Sequence, residues 1–219
     1  MTNFVVAIDG PAGSGKSSVS RRVASDLGFG YLDTGAAYRA LTWWVYERAN
    51  QPVESLGSGE FAADFDYRIS TDPNDFWVKV AETDLTEKIR ESNIALKVSD
   101  VAKQPAVREF MRELTRREVA KCSLPGIVVE GRDITSVVLP DAQIRLLLTA
   151  DESVRLGRRS AEMPAAKQLG HEVSKRDLAD SRVVDFMNPA AGVTLVDSTD
   201  LDFDQTVAAV KAFIAKQTN

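Results

Sequence analysis

The 219-residue chain has one cysteine, Cys122, and one histidine, His171. A lone cysteine cannot close an intramolecular disulfide, which fits a reducing compartment, and a cytoplasmic location is the expectation. One Cys and one His cannot assemble a His/Cys zinc cluster either. Long apolar runs are missing: stretches such as Phe4 to Ile8 fall far short of the roughly 20 residues a bilayer crossing needs. Met1-Thr2-Asn3 lacks the basic start of a signal peptide. No membrane association is expected. Positive charge is scarce, with 27 Lys and Arg against 32 Asp and Glu for a net charge of -5. A nucleic-acid scaffold would carry a basic surface to neutralise phosphates, so no nucleic-acid partner is expected. Any charge that grips phosphate has to be local.

Such a local grip opens the chain. The apolar run Phe4 to Ile8 leads into Gly10-Pro11-Ala12-Gly13-Ser14-Gly15-Lys16-Ser17-Ser18, which fits Gly-x-x-x-x-Gly-Lys-Ser, the P-loop. Its glycines let successive amide hydrogens turn inward at an anion, while Lys16 and the following helix N-terminus add positive charge. A nucleoside triphosphate is the expected ligand, and any metal should be magnesium arriving with it. A plain glycine-rich turn is the bland alternative, disfavoured by the strand before and the helix after.

Further apolar runs at 29–32, 127–129, 144–148 and 193–196 are separated by helix-like stretches. Continuous apolarity with helices between marks strands buried on both faces of a parallel sheet. The expected class is α/β, with a P-loop NTPase fold, a five-stranded parallel sheet flanked by helices, a small antiparallel insert and a lid. Helices are expected at about 16–27, 35–49, 87–103, 105–122, 151–160, 173–186 and 203–216. A single domain is read over 1–219, with its core at 1–49 and 87–219. Residues 50–86 form the insert, where Tyr67 to Ser70 and Phe76 to Val80 alternate like strands. A lid at about 159–175 holds Pro164, Gly170 and His171, with arginines on both flanks.

Ligands of open parallel sheets bind beyond the carboxyl ends of the strands. Three polar clusters fall there: the P-loop, Asp33-Thr34-Gly35 with Arg39, and Glu130-Gly131-Arg132-Asp133. A second phosphate-handling site beside the P-loop is the natural inference. Thr34 could instead be only a helix cap and Arg39 a solvated surface arginine. Arg132 and Asp133 place a guanidinium and a carboxylate at the sheet's active edge, although an internal ion pair is the plainer reading. Arg155, Arg158 and Arg159 before the lid, and Lys175, Arg176, Asp180 and Arg182 after it, suit phosphoryl transfer, which needs charge neutralised and water excluded. A run of arginines can equally be the wet face of a helix.

Taken in order, Gly10 to Ser18, Asp33 to Arg39, Asp84 to Arg90, Val98 to Ala102, Pro105 to Arg108, Val129 to Ile134, Val137 to Ala142, Arg176 to Ser181 and Val196 to Thr199 resemble the bacterial cytidylate kinases over nearly the whole chain. The resemblance implies transfer of the γ-phosphate of ATP to CMP or dCMP, with ATP and Mg2+ as donor and metal. It implies that Gly10 to Ser18 hold the ATP phosphates, with Lys16 at the transferred group and Ser17 near the metal. Thr34 and Arg39 would contact CMP, and Arg132 would join the phosphate clamp. Ser99, Arg108 and Asp133 would meet the cytosine edge, Arg176 and Asp180 the ribose, and Arg158 or Arg159 the moving phosphoryl. A monomer acting on small molecules is expected.

The chain also departs from that pattern. Thr135-Ser136 stands where the family has Gly-Thr, adding a side chain near the substrate, and Arg182 follows Asp180 by two residues rather than three. A GTP-driven switch is excluded, because neither Asp-x-x-Gly after a later strand nor Asn-Lys-x-Asp occurs. Another P-loop kinase, for dTMP, UMP or shikimate, and a non-catalytic nucleotide-binding subunit remain as rivals.

Overall fold

The computed structural model describes residues 4–162 and 188–218, with the side chains of 159–162 and 218 left aside. Five strands, β1 (Phe4–Asp9), β2 (Gly30–Asp33), β6 (Gly126–Gly131), β7 (Ile144–Thr149) and β8 (Thr194–Asp197), form one sheet in the order β2-β6-β1-β7-β8. Every neighbouring pair is parallel. This is the expected doubly covered α/β sheet, and its physical basis is the burial of both faces of β1, β2, β6 and β7, with the edge strand β8 more exposed. Val5 and Ala7 of β1 enter one apolar cluster, while Val6 and Ile8 enter the other. β6 repeats the alternation, with Ile127 and Val129 on one side and Val128 on the other.

Helices α1 (Lys16–Leu27) and α7 (Phe203–Thr218) cover the second face. On the first lie α2 (Thr34–Trp43), α4 (Ser92–Ala102) and α5 (Pro105–Lys121). Pro105 occupies the first turn of α5, where its missing N–H is not needed. α6 (Glu152–Glu162) follows β7. The helix expected to run from 35 to 49 changes hand-hold midway: after Trp43 it widens into a π-helical turn over Trp44–Ala49 and stops at Asn50 in the left-handed region. The helix expected from 87 to 103 is broken as well. A single turn, Lys88–Arg90, is followed by extended Glu91 before α4 begins, and this bend buries Leu85, Ile89 and Ile94 together.

Between α2 and α4 the chain forms a short helix α3 (Phe61–Asp64) and a second sheet, β3 (Tyr67–Ile69), β4 (Val78–Val80) and β5 (Thr83–Asp84), antiparallel throughout. Tyr67 pairs with Val80 and Ile69 with Val78, and all four side chains face the core. The loop between β3 and β4 is tied to β2 and α1, although Asp72, Asn74 and Asp75 are exposed. The Tyr31 amide donates to Thr71 O at 2.8 Å, Arg21 Nε donates to Pro73 O, and Ser25 Oγ bonds Asn74 Oδ1 at 2.9 Å.

Candidate active site

The carboxyl ends of β1, β2 and β6 open onto one cleft of about 990 Å³. Its donor end is the P-loop. Gly13 has φ +78, and a Cβ there would stand 2.5 Å from Arg155 O, so only glycine fits both the backbone and the space. At Gly10 a Cβ would come within 2.2 Å of Leu148 O. Gly10 lets the loop fold tightly over the end of β7, and Gly13 lets it close on the first turn of α6. Ala12, Gly13, Gly15, Lys16, Ser17 and Ser18 line the cleft, while Gly10, Pro11 and Ser14 are buried behind them. α1 starts directly from Gly15, so its first amides and its positive dipole end face the cavity.

Glu130 is the hub of this end. It is 2 % exposed; its Oε1 accepts from Ser17 Oγ at 2.6 Å and from Tyr31 OH at 3.1 Å, and its Oε2 lies 3.9 Å from Lys16 Nζ. Burial raises its pKa, neighbouring Asp33 adds to the rise, and Lys16 with the Ser17 hydrogen bond works against it. Sequence reasoning quotes Glu130 in the strand-end cluster and gives it no part. The available signal is a carboxylate one residue from the end of an otherwise apolar, doubly buried strand. Asp9, the last residue of β1, is a parallel case. Its carboxylate accepts from the amides of Ile134 and Thr135 at 2.9 and 2.8 Å and from Thr135 Oγ1 at 2.6 Å. Burial raises the Asp9 pKa while these donors oppose the rise.

The acceptor end is built from α2, α4, α5 and the turn after β6. Thr34, Arg39, Ser99, Arg108, Arg132 and Asp133 all line the same cleft. Thr34 is not the cap of α2. Asp33 is: its side chain accepts the Ala36 amide, and Thr34 Oγ1 donates to Glu130 O at 2.8 Å, joining the ends of β2 and β6. Arg39 is held by Asp33 at 2.8 Å, and Arg108 pairs with Asp133 at 2.8 Å. The Asp133 pKa is raised by burial, with Arg108 opposing.

Two expectations need correction. Arg158 does not face the cleft. Its guanidinium donates to Ser14 O, Ser198 Oγ, Ser198 O and Leu201 O, and with all four acceptors in place it is a strut behind the P-loop. Arg155 has a similar task, donating to Ala12 O at 3.0 Å and Ala150 O at 3.2 Å. Thr135 does not reach toward substrate either, because it is 4 % exposed and its hydroxyl is spent on Asp9. The Arg159 side chain, the lid at about 163–175, the helix expected at 173–186, and Lys175, Arg176, Asp180 and Arg182 lie outside the described residues.

No group of three or more His, Cys, Asp or Glu among the described residues could hold a metal by itself. Among them, too, no helix is long and apolar enough to cross a membrane. The residues present nevertheless suit magnesium carried in on a nucleotide. The Ser17 hydroxyl donates its hydrogen bond to Glu130, which leaves its oxygen lone pairs for a cation already ligated by phosphate oxygens.

A family model described as cytidylate kinase matches residues 6–216. The cytidylate kinase of Cutibacterium acnes is 42% identical over 211 residues, covering 94% of this chain and 94% of that protein. The one from Streptomyces avermitilis is 39% identical over 216 residues, covering 97% of this chain and 93% of its own length. The solved structure of TT1252 from Thermus thermophilus superposes with a TM-score of 0.54 at 20% identity, over 99% of this chain and 98% of that one, a likeness of fold alone.

Proposed function

The chain belongs to the cytidylate kinase family, and from that membership and the two-ended cleft we propose that it transfers the γ-phosphate of ATP to CMP or dCMP, giving ADP and CDP or dCDP. The observation that carries the proposal is the single cleft with a P-loop at one end and Ser99 with the Arg108–Asp133 pair at the other. Cytosine presents O2 and N3 as acceptors and an exocyclic amine as donor. A guanidinium beside a carboxylate offers the matching donor and acceptor, and uracil reverses the pattern at positions 3 and 4.

In this reading the P-loop amides and Lys16 hold the ATP phosphates, and Arg39 and Arg132 hold the CMP phosphate. No general base is needed, because an ionised oxygen of the monophosphate is already the nucleophile. The oxygen–phosphorus bond to the γ-phosphorus forms as the bond to the bridging oxygen of ADP breaks, and the electron pair leaves on ADP. The chain's own residues contribute alignment and charge neutralisation. Ser17, its hydroxyl fixed by Glu130, would hold the nucleotide's Mg2+, which would supply further neutralisation of the phosphate oxygens. Arg159, Arg176 and Asp180 complete the site as a lid arginine and ribose contacts, with 50–86 as the monophosphate-side insert and about 159–175 as the lid of one kinase domain.

The same proposal has the protein working as a cytoplasmic monomer on free nucleotides, a setting in which the buried Cys122 thiol stays reduced. The test is a panel assay of ADP release from ATP with CMP, dCMP, UMP, dTMP, AMP and shikimate. CMP and dCMP should give the highest kcat/KM. Faster turnover of dTMP or shikimate than of CMP would reject the assignment.

A further inference from the structure

The β3–β4 loop reaches across the cleft to the donor side. Its backbone receives the Tyr31 amide at Thr71 O and the Arg21 guanidinium at Pro73 O, and Asn74 receives the Ser25 hydroxyl. Phe76, at the end of the loop, packs its ring on Tyr31 with centroids 6.2 Å apart at 53°, and the Arg21 guanidinium lies 5.8 Å from the Phe76 centroid. The other end of Tyr31 is its hydroxyl, buried and directed at Glu130 Oε1, the oxygen that also receives Ser17. One side chain therefore touches the insert with its ring and the donor hub with its hydroxyl.

We propose that Tyr31 is a positioning residue of the transfer, aiming Glu130 at Ser17 and Lys16 and tying that aim to the β3–β4 loop through Phe76. The inference rests on the kinase reading above. A carboxylate that accepts two hydroxyls on one oxygen has little rotational freedom, so its second oxygen stays turned toward Lys16. Without Tyr31 only the Ser17 bond and the longer Lys16 contact hold the carboxylate, and Lys16 and Ser17 lose a firmly fixed common reference. The charged groups around Glu130 come from three elements: Lys16 from the P-loop, Asp33 from the end of β2 and Arg39 from α2. Tyr31 is the neutral donor among these partners.

Tyr31→Phe keeps the ring and its contact with Phe76 and removes only the hydroxyl. The expected result is kcat lowered about tenfold, as for a lost hydrogen bond to a charged group, with KM for CMP within about twofold. In the same variant the Kd for ATP, read by calorimetry, should rise severalfold, because Lys16 and Ser17 lose their fixed reference. Phe76→Leu keeps the hydroxyl and loosens the ring contact, and should give a smaller fall in kcat in the same direction. Unchanged kcat together with an unchanged Kd for ATP in Tyr31→Phe overturns the inference. A parent protein that binds ATP but releases no ADP with CMP would overturn the kinase reading instead, and the Kd for ATP would still decide the Tyr31–Glu130 link.

Discussion

Arg39 lies across Asp33: its Nη2 is 2.8 Å from Asp33 Oδ2, while the other carboxylate oxygen accepts the Ala36 amide at 3.0 Å and caps α2. Arg39 Nε is buried without a hydrogen-bond partner, so the ion pair is what fixes the guanidinium. One aspartate thus starts the helix and aims the arginine. Asp33→Asn keeps an oxygen for the cap and loses the pairing charge. It should cost less than about 1 kcal/mol of stability yet raise KM for CMP, whereas Asp33→Ala should cost about 1 to 2 kcal/mol and raise KM as well. Urea unfolding and CMP saturation separate the two effects. A parent-like KM in Asp33→Asn would reject the aiming role.

Lys16 is the cation that faces both Glu130 and the donor end. Lys16→Ala should lower kcat by at least about a hundredfold, the scale of losing one preorganised charge-stabilising group. The fold should survive, because the site is partly open. Near-normal turnover by a folded variant would sink the proposed mechanism.

The Arg108–Asp133 pair carries the base assignment. Arg108→Met removes a charged donor and should weaken CMP binding by about 1.5 to 3 kcal/mol, with Ser99→Ala having a smaller effect in the same direction. Without Arg108, the largest influence holding the Asp133 pKa down is lost, leaving Arg112 and a backbone hydrogen bond, while burial still pushes it up. KM for CMP in Arg108→Met should therefore climb more steeply than in the parent as pH falls. CMP saturation unchanged in both variants would remove the cytosine assignment.

The sheet was legible because both faces of its strands are apolar, so runs such as Ile144 to Leu148 stand out with no need of context. The acceptor residues were legible only through resemblance. Ser99 and Arg108 sit on α4 and α5 amid ordinary helical patterning, and nothing local distinguishes them from surface positions. Glu130, Asp9 and Tyr31 were given no part for a different reason. Each acts on another protein group rather than on a ligand, and such partners, 99 positions apart for Tyr31 and Glu130, are set by strand order. Arg158 misled for the same reason: only the fold reveals the carbonyls of Ser198 and Leu201 waiting for it.

Glu130 gives the chain a pH signature. Its pKa is raised above the ordinary 4.5 on folding, so below about that value both folded and unfolded chains hold the proton and no penalty exists. Above it the unfolded chain ionises first, and stability falls with rising pH until the folded group has ionised too. Glu130→Gln removes this dependence. Asp9 and Asp133 shift in the same direction in both proteins and cancel in the difference. Urea unfolding at a series of pH values should show the variant gaining on the parent as pH rises from 4.5. A difference independent of pH, or one moving the other way, would contradict the burial account of this carboxylate.

Thr135 supplies the third donor to Asp9. The bond joins the end of β1, next to the P-loop, to the turn that carries Arg132 and Asp133, so it holds the two halves of the cleft in register. Thr135→Val keeps the shape but sets a methyl against a buried carboxylate, which should cost about 1.5 to 3 kcal/mol. Thr135→Ser keeps the hydroxyl and should lose much less. Because the side chain faces Asp9 rather than the cleft, KM for CMP should stay within about twofold in both. Urea unfolding with CMP saturation checks the pair. If Thr135→Val is as stable as the parent, the Asp9 bond contributes nothing to register; if its KM for CMP rises manyfold while Thr135→Ser is normal, the hydroxyl acts on substrate instead.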